Sequence, residues 1–208
     1  MYQDILTIAV VTVFAFFAIY WMWFQGEVDG SRLIAKNSMK QQKFNIILVL
    51  VAAFIVKAIL AVKNEGYSVD ITCFRSWSET VFTGGLSHFY EGDVTDYPPG
   101  YMLVLWLVAA IRHLFNIDNY STTGLFMIKL FPMLFDLAAA YLIYVMAKKR
   151  FSEGMSLMLS TLYALNPAVV IDSSVWGQVD GVLCCMVLLT CYPVSYTHLR
   201  AHETRHDL

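Results

Sequence analysis

The chain has 208 residues, 58% hydrophobic and 15% aromatic, with a formal net charge of -2. Soluble domains are about 45–50% apolar, so this excess, gathered into long runs, points away from a soluble domain and toward a polytopic membrane protein. No basic tract offers a surface to nucleic acid, and four cysteines, three of them in one apolar run and none in zinc-type pairs, argue against a disulfide framework.

Residues 5–24 form an apolar run interrupted only by Thr7 and Thr12, long enough to span a bilayer as a helix. No Lys or Arg precedes it, and the run is too long for a cleavable signal. The following loop, 25–43, carries Arg32, Lys36, Lys40 and Lys43. An excess of Lys and Arg marks the cytoplasmic side, which places the N-terminus outside. Residues 44–62 then lead outward. Lys57 lies within this span, where snorkelling to the outer interface is the ordinary reading and contact with a lipid phosphate the sharper one.

Residues 63–97 form an acidic external loop. Phe74, Trp77 and Val81 recur at helical spacing, which predicts a short amphipathic helix lying on the membrane, aromatics down, and ending at Gly84-Gly85. Residues 98–111 are apolar but of re-entrant or interfacial length. Residues 125–147 are long enough to cross, contain Lys129, Pro132 and Asp136, and end at Lys148-Lys149-Arg150, a cytoplasmic marker. Residues 155–171 return outward, with Asn166-Pro167 breaking the helix. Residues 172–180, DSSVWGQVD, make a second external loop, and 182–192 begin another span. Parity supports this order: if both loops face outward, an even number of the apolar segments between them crosses, and 98–111 is the one that does not.

After Tyr192 the composition changes to a polar tail. His198, His202 and His206 fall at i, i+4 and i+8, a metal-like stripe on a helix, but the tail lacks the supporting groups that metal ligands need. Residues 194–204 resemble the translated reading frame of a sequencing-library adapter. The expected organisation is therefore an extra helix and cytoplasmic loop over 1–43, a truncated membrane core over 44–193, and a non-native tail over 194–208.

Several residues have chemistry to offer. Asp70 sits where a membrane-embedded substrate would meet water. A carboxylate there can take a proton from an acceptor hydroxyl or hold a divalent cation; capping the helix N-terminus is the plain alternative. Asp96 precedes Tyr97-Pro98-Pro99-Gly100, two prolines that fix the backbone at the membrane entry. Lys129 and Asp136 are two helical turns apart, about 10 Å. Ionisable groups at membrane depth are costly and face the bundle interior: Lys129 is placed to neutralise a phosphate, while Asp136 serves equally well as a polar contact between helices. Trp176, Gln178 and Asp180 can stack on a sugar and bond its hydroxyls, or anchor the chain at the interface.

The ordered set Asp70, Arg75 and Trp77, then DYPPGY, then a span with Lys129 and Asp136, then LNPAVVID and WGQVD resembles the GT-C superfamily of integral membrane glycosyltransferases. It looks most like bacterial members with a WGQVD loop, and is also similar to dolichyl-phosphate-glucose-dependent glucosyltransferases. The resemblance covers roughly residues 44–182. It implies an all-α, polytopic transmembrane helix bundle in the plasma membrane and a polyprenyl-phosphate-linked sugar donor. Transfer of a hexose would take place on the outer face, with Asp70 as catalytic base. Arg75, Trp77, Asp96, Tyr97, Lys129, Trp176, Gln178 and Asp180 would bind substrate. WGQVD stands where the glucosyltransferases have a His-rich sequence, so donor sugar and acceptor do not carry over. Metal use stays open, because some relatives use a divalent ion and others do not. Later helices are missing, so the segment alone is expected to be inactive. The rival readings are a transporter or flippase built on Lys129 and Asp136, and a non-catalytic membrane subunit.

Overall fold

The structure, a computed structural model, describes residues 39–91 and 97–206, with side chains over 45–91 and 97–193. The expected first helix and most of its loop, and the candidate site residue Asp96, lie outside the described residues. Among the described residues, seven α-helices and one π-helical turn follow in order: α1 Met39–Lys63, α2 Ser68–Phe89, α3 Pro99–Leu114, α4 Thr122–Ala147, α5 Glu153–Ala164, α6 Pro167–Val170, the π-turn Ile171–Trp176, and α7 Asp180–His206. No strand occurs among the described residues, and the chain is an all-α membrane helix bundle.

Two stretches, Asn45–Lys63 and Thr122–Ala147, are long and apolar enough to cross a membrane, and Glu153–Ala164 with Pro167–Trp176 makes a third if the pair, bent by 47°, is one span. The boundaries follow local chemistry. The Ser121 hydroxyl accepts the Gly124 N–H at 3.0 Å to open α4, and Ser152 does the same for Met155 at 3.3 Å to open α5. Prolines stand in the first turns of α3 and α6, where the missing N–H costs nothing. At Asn166-Pro167 the helix breaks as expected, and the Asn166 side chain restarts it by accepting the Ala168 N–H. The backbone of α7 stays helical through Pro193 to His206, across the expected boundary at 193/194.

α4 is the central helix and packs against α1, α5, α7 and the π-turn. α1 turns Ile47, Leu48, Val51, Ile55, Ile59 and Val62 outward, and α7 does so with Leu183, Met186 and Val187. Inside lie Lys57, Lys129, Asp136, Ser160 and Ser173. Apolar outside and charged inside is the pattern expected where lipid is the solvent.

Two expectations are corrected. The aromatic face of α2 is not laid on a membrane: Ile71, Phe74, Ser78 and Val81 are buried, and the helix packs along α3. The face had a partner within the protein, which amphipathic spacing alone does not distinguish from lipid. Gly85, at φ 75°, breaks this helix as a glycine there should, but helical backbone resumes to Phe89. The stretch 172–180, expected to be a loop, is also shorter as one than expected, because Ile171–Trp176 continues as a π-turn with Ser173, Ser174 and Val175 buried.

Candidate active site at the start of the second helix

Asp70 lies in the first turn of α2 but does not cap it. Tyr67 holds the cap position without a side-chain bond, so the capping alternative for Asp70 falls. Instead Asp70 Oδ2 accepts two hydrogen bonds from the far end of the chain, from Trp176 Nε1 at 2.9 Å and Gln178 Nε2 at 2.5 Å. Oδ1 has no partner among the described residues, and the side chain is half-buried. The two donors fix the orientation of the carboxylate while adding no positive charge.

The backbone makes this meeting possible. The Tyr67 N–H donates to the Trp176 carbonyl at 2.9 Å, and the two rings lie 5.3 Å apart. Gly66 and Gly177 have φ of 85° and 94°, a region costly for other residues. A Cβ on Gly66 would stand 2.7 Å from the Trp176 carbonyl oxygen, and one on Gly177 2.7 Å from Ile71 Cδ1. The two segments approach closely because both positions lack a side chain.

Gln178 also joins the site to the DYPP turn, since Tyr97 Oη donates to Gln178 Oε1 at 3.1 Å. Beside it stands an aromatic group: Trp77 to Tyr97 is 5.2 Å between centroids, and Phe74 lies 5.6 Å from Tyr97 and 5.8 Å from Trp77. Thus Asp70, Trp77, Tyr97, Trp176 and Gln178, drawn from three distant stretches, come together.

Other expected site residues do not join them. Arg75 is five residues on, about 140° round the helix from Asp70 at 3.6 residues per turn. Its guanidinium lies over the Tyr120 ring at 5.1 Å, and its backbone carbonyl accepts from Asn119. Asp180 is exposed at the start of α7. Lys129 is fully buried, and its Nζ donates to the carbonyls of Asn64 at 2.7 Å, Ser174 at 3.1 Å and Val175 at 3.2 Å. An ammonium has three donors, so all are used, and the expected phosphate contact gives way to a contact with backbone.

Lys57 overturns both readings given to it. It is 0% exposed and pairs with Asp136 at 2.8 Å, so it neither snorkels nor meets lipid phosphate. Nζ also donates to Ser173 Oγ at 3.0 Å and the Val169 carbonyl at 3.1 Å. Gly181 packs directly on the Asp136 carboxylate with no room for a Cβ. The pairing of Asp136 as an interhelical contact was legible; its partner, 79 residues away, was not. Sequence reasoning also missed the link between α2 and α3, where Glu79 accepts from Arg112 and, at 3.0 Å, from His113. Burial pushes the Glu79 carboxyl up, but the bonds from His113 and Arg112 outweigh it and hold the group below its usual range.

Among the described residues no three His, Cys, Asp or Glu side chains are grouped to hold a metal ion. The chain is similar to GPI mannosyltransferase 1 of Saccharomyces cerevisiae, 27% identical over 118 residues, which is 54% of this chain and 26% of that protein. It therefore spans about a quarter of the length of that relative. No family model matches the chain, and no solved structure does.

Proposed function

We propose that this chain carries the acceptor-activating side of a membrane glycosyltransferase of the GT-C type. The donor is a polyprenyl-phosphate-linked hexose and the acceptor is met on the outer face. Asp70 removes the acceptor hydroxyl proton, the acceptor oxygen attacks the anomeric carbon, and the bond from that carbon to the phosphate oxygen breaks as polyprenyl phosphate leaves. The observation that carries this reading is the Asp70 carboxylate, oriented through one oxygen by Trp176 and Gln178, with no partner among the described residues at the other. Likeness to a mannosyltransferase supports the reaction class. Trp77, Tyr97 and Trp176 offer ring faces of the kind on which a sugar stacks. Arg75, whose guanidinium lies on Tyr120 about 140° round α2 from Asp70, would have to leave that ring to meet the phosphate; Asp96 and Asp180 belong to the same proposal as hydroxyl acceptors. The transporter reading loses support, because Asp136 is neutralised by Lys57 and Lys129 is used by carbonyls.

The test is sugar transfer by the full-length protein in vesicles from a lipid-phosphate donor. General-base assistance is worth about 10²–10⁴-fold. Asp70→Asn, which cannot accept the proton, should lose turnover by that factor with donor binding kept. Near-normal turnover in Asp70→Asn removes the base assignment, and transport without transfer moves the protein to the rival class. Chelation followed by readdition of Mg²⁺ or Mn²⁺ decides metal dependence. Sidedness has its own check. In a background without native cysteines, Ser87→Cys should react with an impermeant thiol reagent from outside, and Ser152→Cys only after the membrane is opened.

A further inference from the structure

The π-turn leads into the two side chains that hold Asp70, and its backbone is gripped from beneath by one buried cation. A π-turn leaves carbonyls without the usual i+4 partner, and such turns gather at functional positions. Here the Ser174 and Val175 carbonyls, just before Trp176, both accept from Lys129 Nζ, while the third N–H goes to the Asn64 carbonyl. Asn64 belongs to the connection between α1 and α2, three residues before Tyr67, whose N–H reaches back to the Trp176 carbonyl. One ammonium on the central helix therefore holds both strands of chain that meet at Asp70. The Lys129 stem packs under Gly177, Cε lying 3.3 Å from where a Cβ would stand. One turn earlier, Lys57 ties the Val169 carbonyl and Ser173 Oγ to Asp136 on α4.

We infer that Lys129 is a positioning residue: it sets the segment bearing Trp176 and Gln178, and through them the orientation of the Asp70 carboxylate. The inference rests on the proposed function for its kinetic consequence, and on hydrogen bonds alone for its structural one. A buried ammonium suits the task. Three backbone carbonyls facing one point repel each other and, buried, need donors. Met has nearly the same length as Lys and offers none.

The experiment uses full-length protein in nanodiscs and combines amide hydrogen exchange with transfer kinetics. The proteins compared are wild type, Lys129→Met, Trp176→Phe/Gln178→Ala, and the triple variant. In Lys129→Met the amides of residues 172–179 should exchange at least about 10-fold faster while those of α5 keep their rates, since local opening can be confined to one segment. Its kcat should fall by about 10²-fold, the scale of a 1 Å misplacement, with KM for the donor little changed. In the Trp176→Phe/Gln178→Ala background the same substitution should cost less than about 3-fold, because residues that act through one another are non-additive. Lys129→Gln, with two donors, should restore part of both signals, and it takes the place of Lys129→Met if that protein does not fold. Unchanged exchange over 172–179 would overturn the inference. Faster exchange across the whole bundle, with a kcat loss that adds in full to the double variant, would overturn it too, since Lys129 would then be a general structural residue. If wild type transfers no sugar, the proposed function fails, and the exchange arm still decides the role of Lys129.

Discussion

Two carboxylates in this molecule make hydrogen bonds of similar length and live in opposite circumstances. Asp136 lies inside the bundle against an ammonium, Lys57, at 2.8 Å. Asp70 lies half-buried in the first turn of α2 and is held by an indole and an amide, both neutral. A buried pair cancels its own charge and serves the fold. Asp70 is instead oriented by neutral donors through one oxygen, while the other has no partner among the described residues, the arrangement a general base needs. Partner charge, more than depth or distance, separates the structural acid from the candidate catalytic one.

The largest expected effect tests that separation directly. Breaking a buried ion pair at one end costs about 3–5 kcal/mol, because the other charge is left alone. Lys57→Met should therefore lower the unfolding midpoint of the detergent-solubilised protein sharply. Lys57→Met/Asp136→Leu should recover most of the loss. Asp70→Asn, whose amide oxygen can still accept from Trp176 or Gln178, should cost no more than about 1 kcal/mol, the worth of one hydrogen bond, while losing turnover. If Asp70→Asn destabilises as much as Lys57→Met, both acids are structural and the contrast collapses.

Gly177→Ala sharpens the comparison from the backbone side. A side chain at φ 94° costs about 1–2 kcal/mol, and its Cβ would press on Ile71 and Lys129. Stability should fall by that modest amount and turnover by up to about 10²-fold, the scale of a small misplacement. Equal and small losses of both, measured by thermal unfolding and transfer rate, would mean that the π-turn geometry does not matter to the reaction.

The smallest effect concerns the link between α2 and α3. The Glu79 carboxyl is held below its ordinary value of 4.5, so the folded state binds its proton less readily than the unfolded one. That contribution is present above about 4.5, the unfolded value, and is lost as pH falls through the lower folded value. Glu79 is partly exposed, and such pairs are worth about 0–1 kcal/mol. Glu79→Gln should flatten the acid limb of the stability–pH curve slightly and leave Asp70 chemistry unchanged; an equal acid limb in the variant would assign that limb to other carboxylates.

Hydropathy and turn chemistry alone located the spans at 44–62 and 125–147 to within a few residues, the break at Asn166-Pro167 and the glycine interruption at Gly85. These are local matters: a run of apolar side chains, a ring that removes an N–H, a missing Cβ. The grouping of Asp70, Trp77, Tyr97, Trp176 and Gln178 was legible only through the ordered resemblance, since nothing at one of those positions announces the others.

What tertiary structure decided was who faces whom. Lys57 and Lys129 read as lysines near an interface until α4 and the π-turn are packed against them, and only then do a carboxylate and three carbonyls take up their charge. The face of α2 read as lipid-facing until α3 covered it. Burial and pairing depend on residues tens of positions away, brought to 2.8 Å for Lys57 and Asp136 and 2.7 Å for Lys129 and Asn64 by packing rather than by sequence spacing. Helices are written in the order of their own residues; the partners of a buried charge are written in every other element of the bundle.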